Sequence, residues 1–202
     1  MLFAHGSGSS RHSPRNQSVA GVLHDAGMRT VLIDLLTERE EREDQQTREH
    51  RFDIDLLSER VGGAVSWLRE QPEMAGDPIG VLGASTGAAA ALVAAADLPR
   101  DVSAVVSRGG RPDLAGDALT RVQAPALLIV GGNDSVVERL NREAMTRMTS
   151  ETRLEIVPGA SHLFEEPGAL DQVARLASDW FRTTLAGRTT TSSQRPGRTP
   201  PG

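Results

Sequence analysis

The chain has 202 residues, with no cysteine, no lysine and no tyrosine, and a formal net charge of −5 at pH 7. Those absences exclude a disulfide framework, a thiolate nucleophile, a cysteine-type zinc site, a Schiff-base lysine and the lysine of a phosphate-binding P-loop. The acidic balance, which deepens to −8 once Arg188, Arg195 and Arg198 are set aside, argues against gripping a nucleic-acid backbone.

In chain order, short apolar runs alternate with helical patterns, the signature of a parallel sheet covered on both faces. Strands are expected at Leu2–Ala4, Arg29–Leu36, Pro78–Leu82, Val102–Val106, Ala126–Val130 and Leu154–Val157. Helices are expected at Asn16–Ala26, Asp53–Glu70, Thr86–Ala96, Val136–Met148 and Gly168–Leu185. Trp67 and Trp180 fall at helical spacing with apolar neighbours and are expected in the core. The charge-dense segment from Glu38 to Arg51 has little to bury and is expected as a solvated loop or frayed helix, bordering the ligand end of the sheet. From Gly187 to Gly202 the composition is Gly, Pro, Ser, Thr and Arg, so the expected organisation is one domain over 1–186 and a disordered tail. No apolar stretch reaches the length of a membrane span and the start lacks a secretory pattern, so the expected location is cytoplasmic.

The chemistry-bearing feature is Gly83-Ala84-Ser85-Thr86-Gly87, which follows an apolar strand and opens an alanine-rich helix. A Gly-x-Ser-x-Gly turn between strand and helix is a nucleophile elbow, in which the flanking glycines avoid collision as the helix folds back over the strand. A serine hydroxyl needs a base, and the base needs a carboxylate to hold its tautomer. His162 follows the last strand on a Pro/Gly-punctuated loop, and Asp134 follows the preceding strand in the same way. His5, His12, His24 and His50 are the competing imidazoles, and Asp101 and Asp113 the competing carboxylates. His5-Gly6-Ser7-Gly8-Ser9-Ser10 supplies a Gly-rich turn after the first strand, where the Ser7 amide, with the Thr86 amide, is expected to form an oxyanion hole. Such a mechanism requires no cofactor, and no ligand pattern for a metal accompanies His5 and His12.

Five segments, HGSGSSRHSPRN, GASTGAAAAL, SRGGRPDLAG, LLIVGGNDSVV and VPGASHLFEEPGAL, resemble those of the α/β-hydrolase superfamily. Within it they look like a bacterial subgroup of the dienelactone hydrolase-like proteins, some of whose members are fused to a phosphoribosyltransferase domain. The resemblance runs from residue 2 to about 185 and implies an α/β-hydrolase fold with Ser85, Asp134 and His162 in the triad roles, acting on a small acyl substrate. Dienelactone hydrolases proper carry a cysteine where this chain has Ser85, which points to ester or thioester hydrolysis rather than to dienelactone. Any phosphoribosyltransferase partner is expected as a separate chain. The family places a strand pair before the strand at Leu2–Ala4, so the expectation is either a start further upstream or a sheet shortened at its N-terminus. The link from Ser107 to Gln123 is too short for a cap domain, which predicts an open site. Arg108 and Arg111 lie in that link and are candidates for pairing with an anionic substrate group. The expected activity is hydrolysis through an acyl-serine; the alternatives are acyl transfer or peptidase action with the same residues, and a binding or regulatory module that has lost catalysis.

Overall fold

The computed structural model describes residues 1–189. Six parallel strands form one sheet: β1 (Leu2–Ala4), β2 (Val31–Ile33), β3 (Ile79–Ala84), β4 (Val102–Arg108), β5 (Ala126–Gly131) and β6 (Thr152–Val157), in the spatial order β2-β1-β3-β4-β5-β6. Helices α1 (Pro14–Asp25) and α6 (Ala169–Thr189) cover one face. Helices α3 (Ile54–Glu70), α4 (Thr86–Asp97) and α5 (Ser135–Arg147) cover the other. The remaining helix, α2 (Glu38–Thr47), follows β2. The link between β4 and β5 holds only a kinked 3-10 segment, Pro112–Arg121, and no cap domain. Among the described residues no helix is long and apolar enough to cross a membrane.

A parallel sheet is buried on both faces, so the inner strands β1, β3 and β5 are apolar at every position rather than at alternate ones, while the edge strand β6 carries Arg153 and Glu155. Leu2 and Ala4 join the core under α3 and α4, while Phe3 between them joins the core under α1 and α6. β1 is short but central, pairing with β2 at Leu2↔Val31 and with β3 at Leu2↔Val81. Next to it runs α4, whose Ala88, Ala89, Ala90 and Ala91 are fully buried. Small side chains let this helix lie close enough for its first turn to touch the sheet. A Cβ on Gly87 would lie under 3.0 Å from the carbonyl oxygens of Ala4 and His5, and one on Gly83 equally close to the Ala88 backbone.

Three expectations need correction. The strand expected at Arg29–Leu36 is paired only at Val31–Ile33, because β2 is an edge strand whose one neighbour, β1, offers three residues. Trp67 is 55% exposed, whereas Trp180 is buried. The buried stripe of α3 runs through Leu57, Val61, Val65 and Leu68, and Trp67 is rotated off it. The charged segment is neither a loop nor frayed. α2 opens with a capping box in which the Thr37 hydroxyl accepts from the Glu40 N–H at 3.3 Å and the Glu40 carboxylate from the Thr37 N–H at 2.7 Å. Three acidic residues, Glu38, Glu40 and Glu41, lie in its first turn, where the helix dipole favours them. The tail expectation falls on residues outside those described, except that α6 continues to Thr189.

One charged group of α2 is buried. Asp44 has no exposed side-chain surface and accepts from Arg51 through the backbone N–H at 2.9 Å and Nε at 2.6 Å. Burial alone would raise its pKa, but the Arg51 hydrogen bonds and charge outweigh it and hold the carboxyl below the ordinary carboxylate range. Glu40 is also lowered, first by the Thr37 N–H. Arg51 in turn presents its carbonyl to the Ser7 hydroxyl at 3.4 Å, so the acidic helix braces the loop after β1.

Two outcomes are expected. Gly87→Ala costs at least about 2 kcal/mol in urea unfolding, because the new methyl meets backbone rather than a movable side chain. Asp44→Asn costs about 3 kcal/mol by the same measurement, since it leaves Arg51 without its counter-charge. Both carboxyls titrate lower folded than unfolded, so the stability they contribute is complete above the ordinary carboxylate range and is lost as pH falls below about 4. In the Asp44→Asn variant that acid-sensitive fraction shrinks.

Candidate active site

Ser85 sits between β3 and α4 with φ 50° and ψ −119°, a conformation that non-glycine residues avoid. Neighbouring backbone fixes it there. Its N–H donates to the Arg108 carbonyl at 3.2 Å, and its carbonyl accepts from the Ala88 N–H at 3.1 Å and the Arg111 N–H at 3.2 Å. The end of β4 therefore clamps the serine from both sides. Sequence reasoning weighed SRGGR for its arginine side chains and missed this backbone role; the signal was a Gly-Gly pair at a strand end.

The two loops after β5 and β6 are bonded to each other. The Gly132 N–H donates to the Val157 carbonyl at 2.8 Å, the Asn133 N–H to the Ala160 carbonyl at 2.9 Å, and the Asn133 side chain to the Gly159 carbonyl at 2.7 Å. That lock fixes the separation of the residues the loops carry: His162 Nδ1 lies 2.7 Å from Asp134 Oδ2. The carboxylate can only accept, so Nδ1 carries the proton, and in the neutral ring Nε2 is the nitrogen with the lone pair. The other oxygen of Asp134 caps α5 by accepting from the Val137 N–H at 3.3 Å, which anchors the carboxylate. Below the histidine, Phe164 is buried at a left-handed φ of 56° and packs near Gly109, whose own left-handed turn lies against the His162 backbone and ring. Asn133 and Phe164 were not foreseen; an Asn beside the acid and an aromatic beside the base are weak signals without the fold.

The competitors are occupied or lie on exposed surface. Asp113 holds Arg111 and Asp101 pairs with Arg69. His50 faces Glu43, and His12 and His24 lie on exposed surface. His5 is buried, donates from Nδ1 to the Gly6 carbonyl and accepts at Nε2 from the Leu35 N–H, both at 2.9 Å. With both nitrogens used it acts as a brace for the Gly-rich loop. That loop reaches the elbow: the Ser7 and Thr86 hydroxyls are 3.0 Å apart, and Gly6 packs against Ser85. The Thr86 amide, first in α4, has no intrahelical acceptor and lies at the positive end of the helix.

Ser85, His162 and Ser7 line one cavity of about 200 Å³, and Arg108, Arg15, Ser13 and Leu163 also lie on its wall. Arg108 is buried, and its pKa is pushed down to about 10, first by burial and then by the charge of Arg15. Arg111 is absent from the wall. Its guanidinium makes two 2.8 Å bonds to Asp113, which raise its pKa. Arg15, on the first turn of α1, is a wall residue that sequence reasoning passed over; no spacing rule links it to a serine seventy positions later.

The profile of the dienelactone hydrolase family matches residues 15–186. Two Mycobacterium tuberculosis proteins, each named "Putative phosphoribosyl transferase", are 59% identical to this chain over 187 residues, 93% of this chain and 41% of theirs. The chain thus spans less than half the length of these curated relatives. A dienelactone hydrolase from Anabaena variabilis ATCC 29413 matches with a TM-score of 0.89 and 59% identity, over 91% of this chain and 85% of that one. Est1E from Butyrivibrio proteoclasticus, at 14% identity and a TM-score of 0.75 over 92% and 87% of the two chains, shares the fold. An α/β-hydrolase sheet, a serine elbow and this breadth of similarity lead to one assignment: the chain belongs to the dienelactone hydrolase family.

Proposed function

We infer that the protein hydrolyses a carboxylic ester or related acyl bond through an acyl intermediate on Ser85. The observation that carries this reading is the 2.7 Å bond from His162 Nδ1 to Asp134, in a cavity whose wall also holds a serine at positive φ. In the reaction, His162 Nε2 takes the Ser85 proton as Oγ attacks the carbonyl carbon. Asp134 keeps the proton on Nδ1 and stabilises the imidazolium without itself being protonated. The tetrahedral oxyanion meets the Ser7 and Thr86 amides, each contributing about 3 kcal/mol to the transition state. Collapse expels the alcohol, which takes its proton from the imidazolium. Water then enters by the same route: Nε2 removes its proton, hydroxide adds to the acyl carbon, and Ser85 leaves reprotonated.

A fluorophosphonate probe is expected to add once to the wild type, read by intact mass, and not at all to Ser85→Ala. Asp134→Asn is expected to lower kcat on a 4-nitrophenyl ester about 10³- to 10⁴-fold, because the amide can stabilise neither the tautomer nor the cation. A folded wild type that takes no label would end the hydrolase reading in favour of a binding module. Products from competing alcohols or amines would separate hydrolysis from acyl transfer.

A further inference from the structure

An amide carried into a protein core costs more than an aliphatic chain of the same size unless all its polar atoms are bonded. The buried face of α5 carries such a group: Asn141, with no exposed surface, between the apolar Val137 and Ala144. Its Nδ2 donates to the Gly110 carbonyl at 3.0 Å and to the Val137 carbonyl at 2.8 Å, which uses both amide hydrogens. Its Oδ1 is buried without a hydrogen-bond partner. A leucine would fill much the same space with no orphaned acceptor of its own, so packing alone does not account for an asparagine here. What the amide adds is a fixed place for Gly110.

Gly110 is the middle of three residues on which both halves of the site rest. On one side, the Gly109 N–H donates to the Ile129 carbonyl of β5 at 2.8 Å. The left-handed turn there passes so close under the base that a Cβ on Gly109 would lie 3.0 Å from the His162 carbonyl oxygen and 3.6 Å from its Cε1. On the other side, the Arg111 N–H donates to the Ser85 carbonyl at 3.2 Å. Gly110 itself is buried, and a side chain on it would collide with Ser107 and with Ala88, in the first turn of α4. The far end of the link is the acid. Asp134 caps α5 about two turns before Asn141, and it accepts from the N–H of Val137, the residue whose carbonyl Asn141 holds. We propose that Asn141 is a positioning residue for the reaction at Ser85: it ties the helix that Asp134 caps to the turn that supports Ser85 and His162, and so fixes the serine against its base. The proposal rests on the Ser85 hydrolase reading. Asn141 touches neither substrate nor reacting atoms; it acts through the Gly110 carbonyl, and its buried polarity is what specifies one arrangement of that turn over its neighbours.

The test compares two variants of the full chain. Asn141→Leu removes both hydrogen bonds, whereas the hydroxyl of Asn141→Ser bonds back to the Val137 carbonyl and is too short to reach Gly110. Both are expected to lower kcat on a 4-nitrophenyl ester, and the rate at which the fluorophosphonate labels Ser85, at least about tenfold, with KM within about twofold of wild type. Labelling should still end at one adduct per chain, which shows that the whole sample is folded and competent. Val65→Ala, at a buried position of α3, is the control for lost stability: it should lower Tm yet label and turn over at the wild-type rate when measured well below that Tm. Slow labelling that runs to completion with KM unchanged supports the positioning role. Rates of both variants within about twofold of wild type, a wild-type rate over a reduced labelled fraction, or a raised KM with kcat kept each overturns it. If Asn141→Leu does not fold, Asn141→Ser decides alone on the same criteria. A wild type that takes no label ends the hydrolase reading and this proposal with it; a labelled wild type matched by its variants ends this proposal only.

Discussion

Everything in the site depends on one backbone conformation, that of Ser85 at φ 50° and ψ −119°. A residue in this region stores strain of about 1–3 kcal/mol and stays there only if its surroundings leave no alternative. Here they leave none. Three backbone hydrogen bonds hold the residue, two of them to the end of β4, while the first turn of α4 rests on the carbonyls of Ala4 and His5 without room for a methyl group. The alanine run of α4 follows from the same need, because bulkier side chains would lift the helix and release the turn. Sequence, packing and nucleophile geometry are thus one requirement seen at three scales.

The other half of the site is built on a different principle. His162 and Asp134 lie on separate loops, and no regular element fixes their distance. What does is a set of backbone and Asn133 bonds that make the loops after β5 and β6 into one body. Asp134 then satisfies two demands with its two oxygens, the start of α5 and the imidazole proton. A carboxylate held at both ends loses little entropy on meeting the imidazolium, which is the kind of support a catalytic side chain needs.

Much of this was legible because it rests on local pattern. The strand-elbow-helix run around Ser85, the Gly-Gly-Asn-Asp loop and the Gly-Ala-Ser-His loop each announce a turn at a strand end, and chain order alone aligns them along one edge of a parallel sheet. What failed to show was whatever depends on a partner distant in sequence. The Arg29–Leu36 run is mostly apolar, but only the length of β1 limits how much of it pairs. Trp67 differs from Leu68 by one step around a helix, and only the position of the sheet decides which is buried. The charged segment looks soluble by composition, yet Asp44 is buried because Arg51 returns to meet it. Arg108 and Arg111 are equivalent in sequence; an aspartate two residues on removes one from consideration.

Not every cost that the fold carries lies at the site: Arg48 also holds left-handed backbone, and Ser150 Oγ and Trp180 Nε1 are also buried without hydrogen-bond partners. Ser85 and Phe164 hold left-handed backbone, and Ser107 and Arg108 bury polar atoms without partners, all at the C-terminal end of the sheet. Elsewhere the sheet is covered by apolar clusters on both faces, and α2 is capped and braced by Arg51. Ser85 and Arg108 share the wall of one small cavity, and that meeting of strain and unpaired charge needs a reason of its own. Binding supplies it: strain and unpaired charge persist under selection where a ligand or a transition state relieves them, and relief of that kind can act only at the surface the ligand touches.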